Sequence, residues 1–172
     1  MELETYIRHI PGFPKEGILF HDITPLLLDG EALRYSVDQL GKFAKERKVD
    51  LVMGAEARGF IIGGALAYSL GVGFATARKP GKLPWTVSRC EYDLEYGTDA
   101  LEIHSDAVKP GQRVLIHDDL LATGGTAAAN VKLVEDAGGV VAGLAFLIEL
   151  TALKGRDRLQ GHQVFSLLTY EV

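Results

Sequence analysis

The chain has 172 residues, 47% of them apolar and 24% charged, a size and balance that specify one globular domain with its own core rather than a disordered or fibrous polypeptide. Lys plus Arg total 18 against 23 Asp plus Glu, a net charge of −5, which excludes the overall basic footprint of a protein that tracks a nucleic-acid backbone. The lone Cys90 excludes an internal disulfide framework and a cysteine-rich zinc site, and it fits a reducing cytosol.

In chain order, Met1-Glu2-Leu3-Glu4 carries acid and no apolar run, so no signal peptide is expected there. The first 28 residues, with Pro11, Gly12, Pro14, Gly17 and Pro25 closely spaced, read as an irregular arm. Leu33, Val37, Leu40 and Ala44 then share one face at helical spacing. From there the chain repeats a short apolar run, a turn and a helix. Strands are expected at 51–53, 73–77, 113–117 and 140–148, with helices at 60–70 and 126–137, the last stopped by Gly138-Gly139.

Residues 59–77 run 19 positions without a charge, but they hold five glycines, and Gly71-Val72-Gly73 reads as a break. A helix, a turn and a buried strand account for them better than a membrane span. Residues 79–92, with Pro80, Gly81 and Pro84 among charges, read as a long loop of the kind that serves as a lid. Continuous apolar strands alternating with helices predict an α/β fold: a mostly parallel sheet flanked by helices, in one domain over 1–172.

Chemistry concentrates at 114–126, VLIHDDLLATGGT. Val114, Leu115 and Ile116 form a buried strand with Asp118 and Asp119 at its carboxyl end, the edge where open α/β sheets bind ligands. Ala122, Thr123, Gly124, Gly125 and Thr126 then open a helix. Small residues let backbone N–H groups approach an anion, and the helix N-terminus adds positive potential. Two acids beside an anion cradle would repel a bare phosphate, but they suit the hydroxyls of the same ligand. A sugar phosphate with a vicinal diol meets both demands. His117 interrupts the apolar strand and reads as a core histidine rather than a ligand.

A second anion loop, Gly54-Ala55-Glu56-Ala57-Arg58-Gly59, follows the strand at 51–53 on the same sheet edge, and Arg58 can clamp oxygens in a bidentate fork. A third cationic element, Arg78-Lys79-Pro80-Gly81-Lys82, can close over a diphosphate. The histidines at 9, 21, 104, 117 and 162 have no HxxxH spacing, so no protein metal cage is expected; neither GxxxxGK[ST] nor GxGxxG occurs.

The segment 114–126 resembles the signature of the type I phosphoribosyltransferases: four apolar residues, two acids, then seven small or apolar residues. FPKEGILFHDITP (13–25), RKPGKLP (78–84), DLEYG (93–97), LEIH (101–104) and ELTALKGR (149–156) extend the resemblance over essentially the whole chain, toward the adenine-accepting branch.

The resemblance implies a twisted sheet with a small N-terminal hood at 1–30 that binds the base and a long flexible catalytic loop at 78–96. It implies conversion of adenine and phosphoribosyl pyrophosphate to AMP and pyrophosphate in purine salvage, in a cytoplasmic homodimer, with Mg²⁺ held mainly by substrate oxygens and water. Asp118 and Asp119 would grip the ribose, with Ala122 to Thr126 on its 5′-phosphate. Glu56, Ala57, Arg58, Arg78, Lys79 and Lys82 would hold pyrophosphate, with a cis peptide near Glu56-Ala57. Leu19, Phe20 and His21 would bind adenine, by stacking on Phe20 and by backbone groups of the other two. Glu95 and Tyr96 match the catalytic-loop pair, with Glu95 as acid–base group. Two other readings stay open: transfer to a 6-oxopurine, and a regulator that senses phosphoribosyl pyrophosphate without turnover.

Overall fold

A computed structural model describes residues 1–94 and 96–172. A hairpin comes first, β1 (Arg8–Pro11) antiparallel to β2 (Leu19–Asp22), then a short helix α1 (Thr24–Leu28) and the long α2 (Gly30–Lys45). The arm expected to be irregular is therefore a hairpin and a helical turn. Strands of four residues broken by prolines carry no periodic signal, and only pairing across the hairpin fixes them. Asp29 caps α2 by accepting from the N–H groups of Glu31 and Ala32.

The α/β repeat follows as β3 (Leu51–Ala55), α3 (Gly59–Leu70), β4 (Gly73–Ala77), β7 (Arg113–Leu121), α4 (Gly125–Asp136), β8 (Val140–Leu150) and β9 (Val164–Tyr170), with β5 (Val87–Asp93) and β6 (Thr98–His104) inserted as an antiparallel hairpin. Among the described residues the main sheet has five strands in the order β4-β3-β7-β8-β9, all parallel. The uncharged stretch at 59–77 is α3, a turn at the left-handed Gly71, and β4. Among the described residues no helix is long and apolar enough to cross a membrane.

Successive side chains of a strand point to opposite faces, and both faces are covered here. Val114 and Ile116 join Met53, Leu133 and Phe146 in a core beneath α4 and the inserted hairpin. Leu115 joins Val52, Leu40, Ile62 and Leu66 in a second core beneath α2 and α3. Filling both faces with apolar side chains makes the sheet a rigid platform, so its carboxyl edge can hold chemistry to a fixed spacing.

Two further expectations change. The segment read as a loop over 79–92 is strand from Val87 onward. That strand buries only Cys90 along its length, so no apolar run betrays it. The strand expected to stop at 117 continues to Leu121, because Asp118 and Leu120 keep their register with Phe146 and Ile148 of β8. The acid pair thus lies within a hydrogen-bonded ladder.

Candidate functional site

The strand order reverses direction between β3 and β7: the chain leaves β3 toward β4 on one side and returns as β7 on the other. Such a switch point opens a crevice at the carboxyl ends of the two strands. Glu56-Ala57-Arg58 leaves β3 there, and Asp118 and Asp119 lie there on the last stretch of β7, which runs on to Leu121. The Glu56–Ala57 peptide is cis. A cavity of about 240 Å³ lies between the two strand ends, lined by Glu56, Arg58, Lys79, Tyr92, Asp118, Asp119, Ala122 and Thr126 among others.

Asp119 is buried and paired with Arg58, its Oδ2 3.0 Å from Nε. Asp118 Oδ1 accepts the N–H of Asp119 at 2.9 Å. Burial, reinforced by the neighbouring negative charge of Asp119, raises the Asp118 carboxyl well above the usual carboxylate range. Two adjacent carboxyls thus share one nearby cation, an arrangement that favours a ligand able to bring positive charge or hydroxyl donors.

Gly124 precedes the first residue of α4 in a left-handed conformation (φ +87°), which turns the chain sharply from β7 into the helix. It also allows a close approach, since a Cβ there would lie 2.5 Å from the carbonyl oxygen of Gly155. Residues 155–159, a 3₁₀ turn after β8, are fastened against the loop from outside. Arg156 donates in a bidentate fork to Glu149, both bonds 2.8 Å, and donates to the Val164 carbonyl at 3.0 Å. The Arg156 bonds hold the Glu149 carboxyl below its ordinary range. ELTALKGR is therefore a brace for the helix start, which explains a block of sequence whose side chains are otherwise remote from the crevice.

The cations expected around a diphosphate occupy the other side. Arg78 Nε stands 3.6 Å from Glu56 Oε1, the backbone N–H of Lys79 donates to the same carboxylate, and the Lys79 ammonium pairs with Asp99. Hydrogen bonding to Asp99 raises the Lys79 ammonium above its ordinary value and lowers the Asp99 carboxyl. Lys82 is exposed on the same turn. Sequence reading missed Tyr92 and Asp99. The Tyr92 hydroxyl lies 3.4 Å from Asp99 Oδ2 and 3.5 Å from Thr126 Oγ1, linking the cationic loop to the helix start. Neither residue belongs to a local pattern; only the β5–β6 pairing, Tyr92 opposite Asp99, brings them together.

The hood closes the crevice from above. Phe20 is half-buried, edge-on to Phe13 with centroids 5.0 Å apart, and the Arg58 guanidinium lies 5.0 Å from its ring centre. Leu19 is partly exposed beside it. His21 alternates to the opposite side, buried against His9 (Nδ1 to Nδ1 3.0 Å) and stacked on Tyr170. Burial, with His9 adding a smaller contribution, lowers the imidazole pKa of His21. Its side chain thus anchors the hood to β9. His117 is fully buried, Nδ1 2.9 Å from the Ala145 carbonyl, and burial pushes its pKa down to about 4. It is a neutral core residue. Tyr96 is exposed, and Glu95 lies outside the described residues.

An acid pair in the carboxyl half of a central strand, a small-residue helix start beyond it and a cation-rich loop across a switch point are the features of a phosphoribosyltransferase, and residues 22–168 match the family described as "Phosphoribosyl transferase domain". Full-length relatives place the chain further. The adenine phosphoribosyltransferase of Clostridium perfringens (strain 13 / Type A) is 65% identical over 172 residues, covering 100% of each chain. The crystal structure of adenine phosphoribosyltransferase from Thermoanaerobacter pseudethanolicus superposes with a TM-score of 0.96 at 57% identity, covering 98% of each chain. That from Saccharomyces cerevisiae, complexed with adenine and an imino-altritol bisphosphate, gives 0.91 at 41% identity over 97% of each. The chain belongs to the adenine phosphoribosyltransferase family.

Proposed function

We propose that this chain transfers the 5-phosphoribosyl group of phosphoribosyl pyrophosphate to adenine, giving AMP and pyrophosphate, in the crevice between β3 and β7. The observation that carries this reading is the convergence, on one cavity, of Asp118 and Asp119 with the helix start on one side and Arg58 and Lys79 on the other. A diol grip between two anion sites matches a pentose that bears phosphate at one end and diphosphate at the other.

In the reaction the bond from ribose C1 to a pyrophosphate oxygen breaks and a bond from C1 to an adenine nitrogen forms. Departure of the leaving group builds positive charge on the ring, as in glycoside cleavage. Asp118 and Asp119 orient the ring by its hydroxyls and stabilise that charge; the positive ring in turn favours ionisation of Asp118, which burial otherwise opposes. Arg58, Arg78, Lys79 and Lys82 receive the pyrophosphate, Glu56 positions the backbone of the cationic loop, and the amides from Ala122 to Thr126 receive the 5′-phosphate. Phe20 stacks on adenine, with backbone groups of Leu19 and His21 reading its edge. Glu95 serves as acid–base group, and Tyr96 positions the reacting groups.

Mg²⁺ would enter on the diphosphate. Such an ion would be held mainly by substrate oxygens and water, with the Asp118 and Asp119 carboxyls lining the same cavity. When bound it neutralises charge on the leaving group.

A homodimer is supported by α3, which is apolar on all sides yet leaves Ile61 and Tyr68, seven positions apart on one face, exposed. Cytoplasmic placement is supported by the single unpaired thiol, Cys90.

The test is incubation with labelled donor and each of adenine, hypoxanthine, guanine and xanthine. AMP formation from adenine alone is expected. Preference for a 6-oxopurine, or tight donor binding with no nucleotide formed, would replace this reading. The Asp119→Asn variant, losing the Arg58 partner, should fold and lose at least about tenfold in turnover.

A further inference from the structure

The helix start assigned to the 5′-phosphate carries small residues and hydroxyls but no cation of its own, and it stands beside two carboxyls. Arg58, the cation next to those carboxyls, is already paired with Asp119. A phosphate dianion placed there needs positive charge from another part of the chain. The 3₁₀ turn of residues 155–159 supplies it. Its two arginines behave differently: Arg156 is committed to Glu149 and to the Val164 carbonyl, whereas Arg158 turns toward α4. Arg158 Nη1 lies 3.6 Å from where a Cβ on Gly125, the first residue of the helix, would sit, and Arg158 lines a cavity of about 800 Å³ together with Thr123, Gly125 and Thr126. Among the described residues no carboxylate stands within ion-pair distance of it.

The geometry points to Arg158 as a phosphate-binding residue of this transferase, a side-chain cation that reaches the 5′-phosphate from outside the loop. The inference rests on the reading of the helix start as the phosphate site. Placement is set by the brace: the Arg156–Glu149 fork fixes the turn to β8, and the contact of Gly155 with Gly124 fixes it to the loop, so Arg158 projects from a rigid support. A planar guanidinium presents parallel donors that match two phosphate oxygens, and its charge offsets the field of Asp118 and Asp119.

Full-length protein titrated with AMP and with adenosine, which differ only in the phosphate, tests this. Arg158→Ala should weaken AMP about tenfold and leave adenosine unchanged, a loss of the size expected for a hydrogen bond between charged groups. Arg158→Lys should recover part of the AMP affinity, since a point charge remains without the fork. AMP affinity of Arg158→Ala within twofold of the parent, or equal losses for AMP and adenosine, would overturn the assignment. Parent protein that binds AMP no better than adenosine would instead overturn the phosphate reading of the loop, and the role of Arg158 with it.

Discussion

The contact between Gly155 and the phosphate loop can be broken by one methyl group. A Cβ at Gly155 would lie 2.5 Å from the Ala122 carbonyl oxygen and 2.9 Å from Leu121 Cδ1. The carbonyl is backbone and cannot swing aside, so the loop or the turn must move. Overpacking of this kind costs about 1–3 kcal/mol. The lower chain entropy of Ala in the unfolded state returns about 0.4–1 kcal/mol, leaving a net loss of about 1–2 kcal/mol for Gly155→Ala. In a chain of this size that is a fall in melting temperature of roughly 3–8 °C.

The functional consequence separates this contact from ordinary packing. Displacing Ala122 misaligns the amides that follow it, and each amide bond to phosphate is charge-assisted. KM for phosphoribosyl pyrophosphate should therefore rise about tenfold while KM for adenine holds. Gly161→Ala is the control: its φ is +87°, but a Cβ there meets nothing within 4 Å, so it should lose about 1–2 kcal/mol of stability and leave both KM values alone. Steady-state kinetics and thermal melts on the two variants decide the matter. If Gly155→Ala matches the parent in melting and in donor KM, the brace does not shape the phosphate site.

His117 offers a titration test: between pH 6.5 and about 4 the unfolded chain binds a proton on this imidazole and the folded chain does not, so stability falls as pH drops, by about 3 kcal/mol at the lower end. Urea midpoints measured across that range should fall less steeply for His117→Val than for the parent, and parallel curves would refute the buried neutral state. Neutralising Asp99 by Asp99→Asn releases the Lys79 ammonium from its counter-ion, so inhibition by pyrophosphate should tighten roughly two- to fivefold; an unchanged inhibition constant would detach this pair from the donor site. Phe20→Ala should raise KM for adenine roughly ten- to a hundredfold with little change for the donor, and equal losses for both would make Phe20 a packing residue of the hood.

The parts of this fold that could be read from sequence are those whose signal is local. Leu51-Val52-Met53 and Val114-Leu115-Ile116 are continuous apolar runs because their strands are covered on both faces, and Gly124-Gly125 marks a turn because few other residues fit it. The hood, the β5–β6 hairpin and the brace escaped because their order comes from partners distant in sequence. His9 meets His21 and Tyr170, Tyr92 meets Asp99 and Thr126, and Gly155 meets Gly124. Arg158 illustrates the difficulty. In sequence it is one of several charges in a polar stretch; only the fork between Arg156 and Glu149 tells the two arginines apart.

The spacing of the site follows from the sheet rather than from its loops. In register, Gly54 of β3 stands beside His117 of β7, one strand spacing of about 4.8 Å away; β3 ends at Ala55 while β7 runs on to Leu121, so Asp118 and Asp119 stand beside the start of the loop that leaves β3. The acids and the loop after β3 therefore face each other across a gap that the sheet itself sets. The acids of β7 sit inside this gap because the strand continues past its apolar run, held by the β8 ladder through Asp118 and Leu120. Had β7 ended at His117, the carboxyls would have sat on a turn, free to retreat into water. Held in the ladder, Asp118 and Asp119 cannot retreat into water or from one another; burial first, and the charge of Asp119 after it, raise the Asp118 carboxyl and leave the pair prepared for a developing cation.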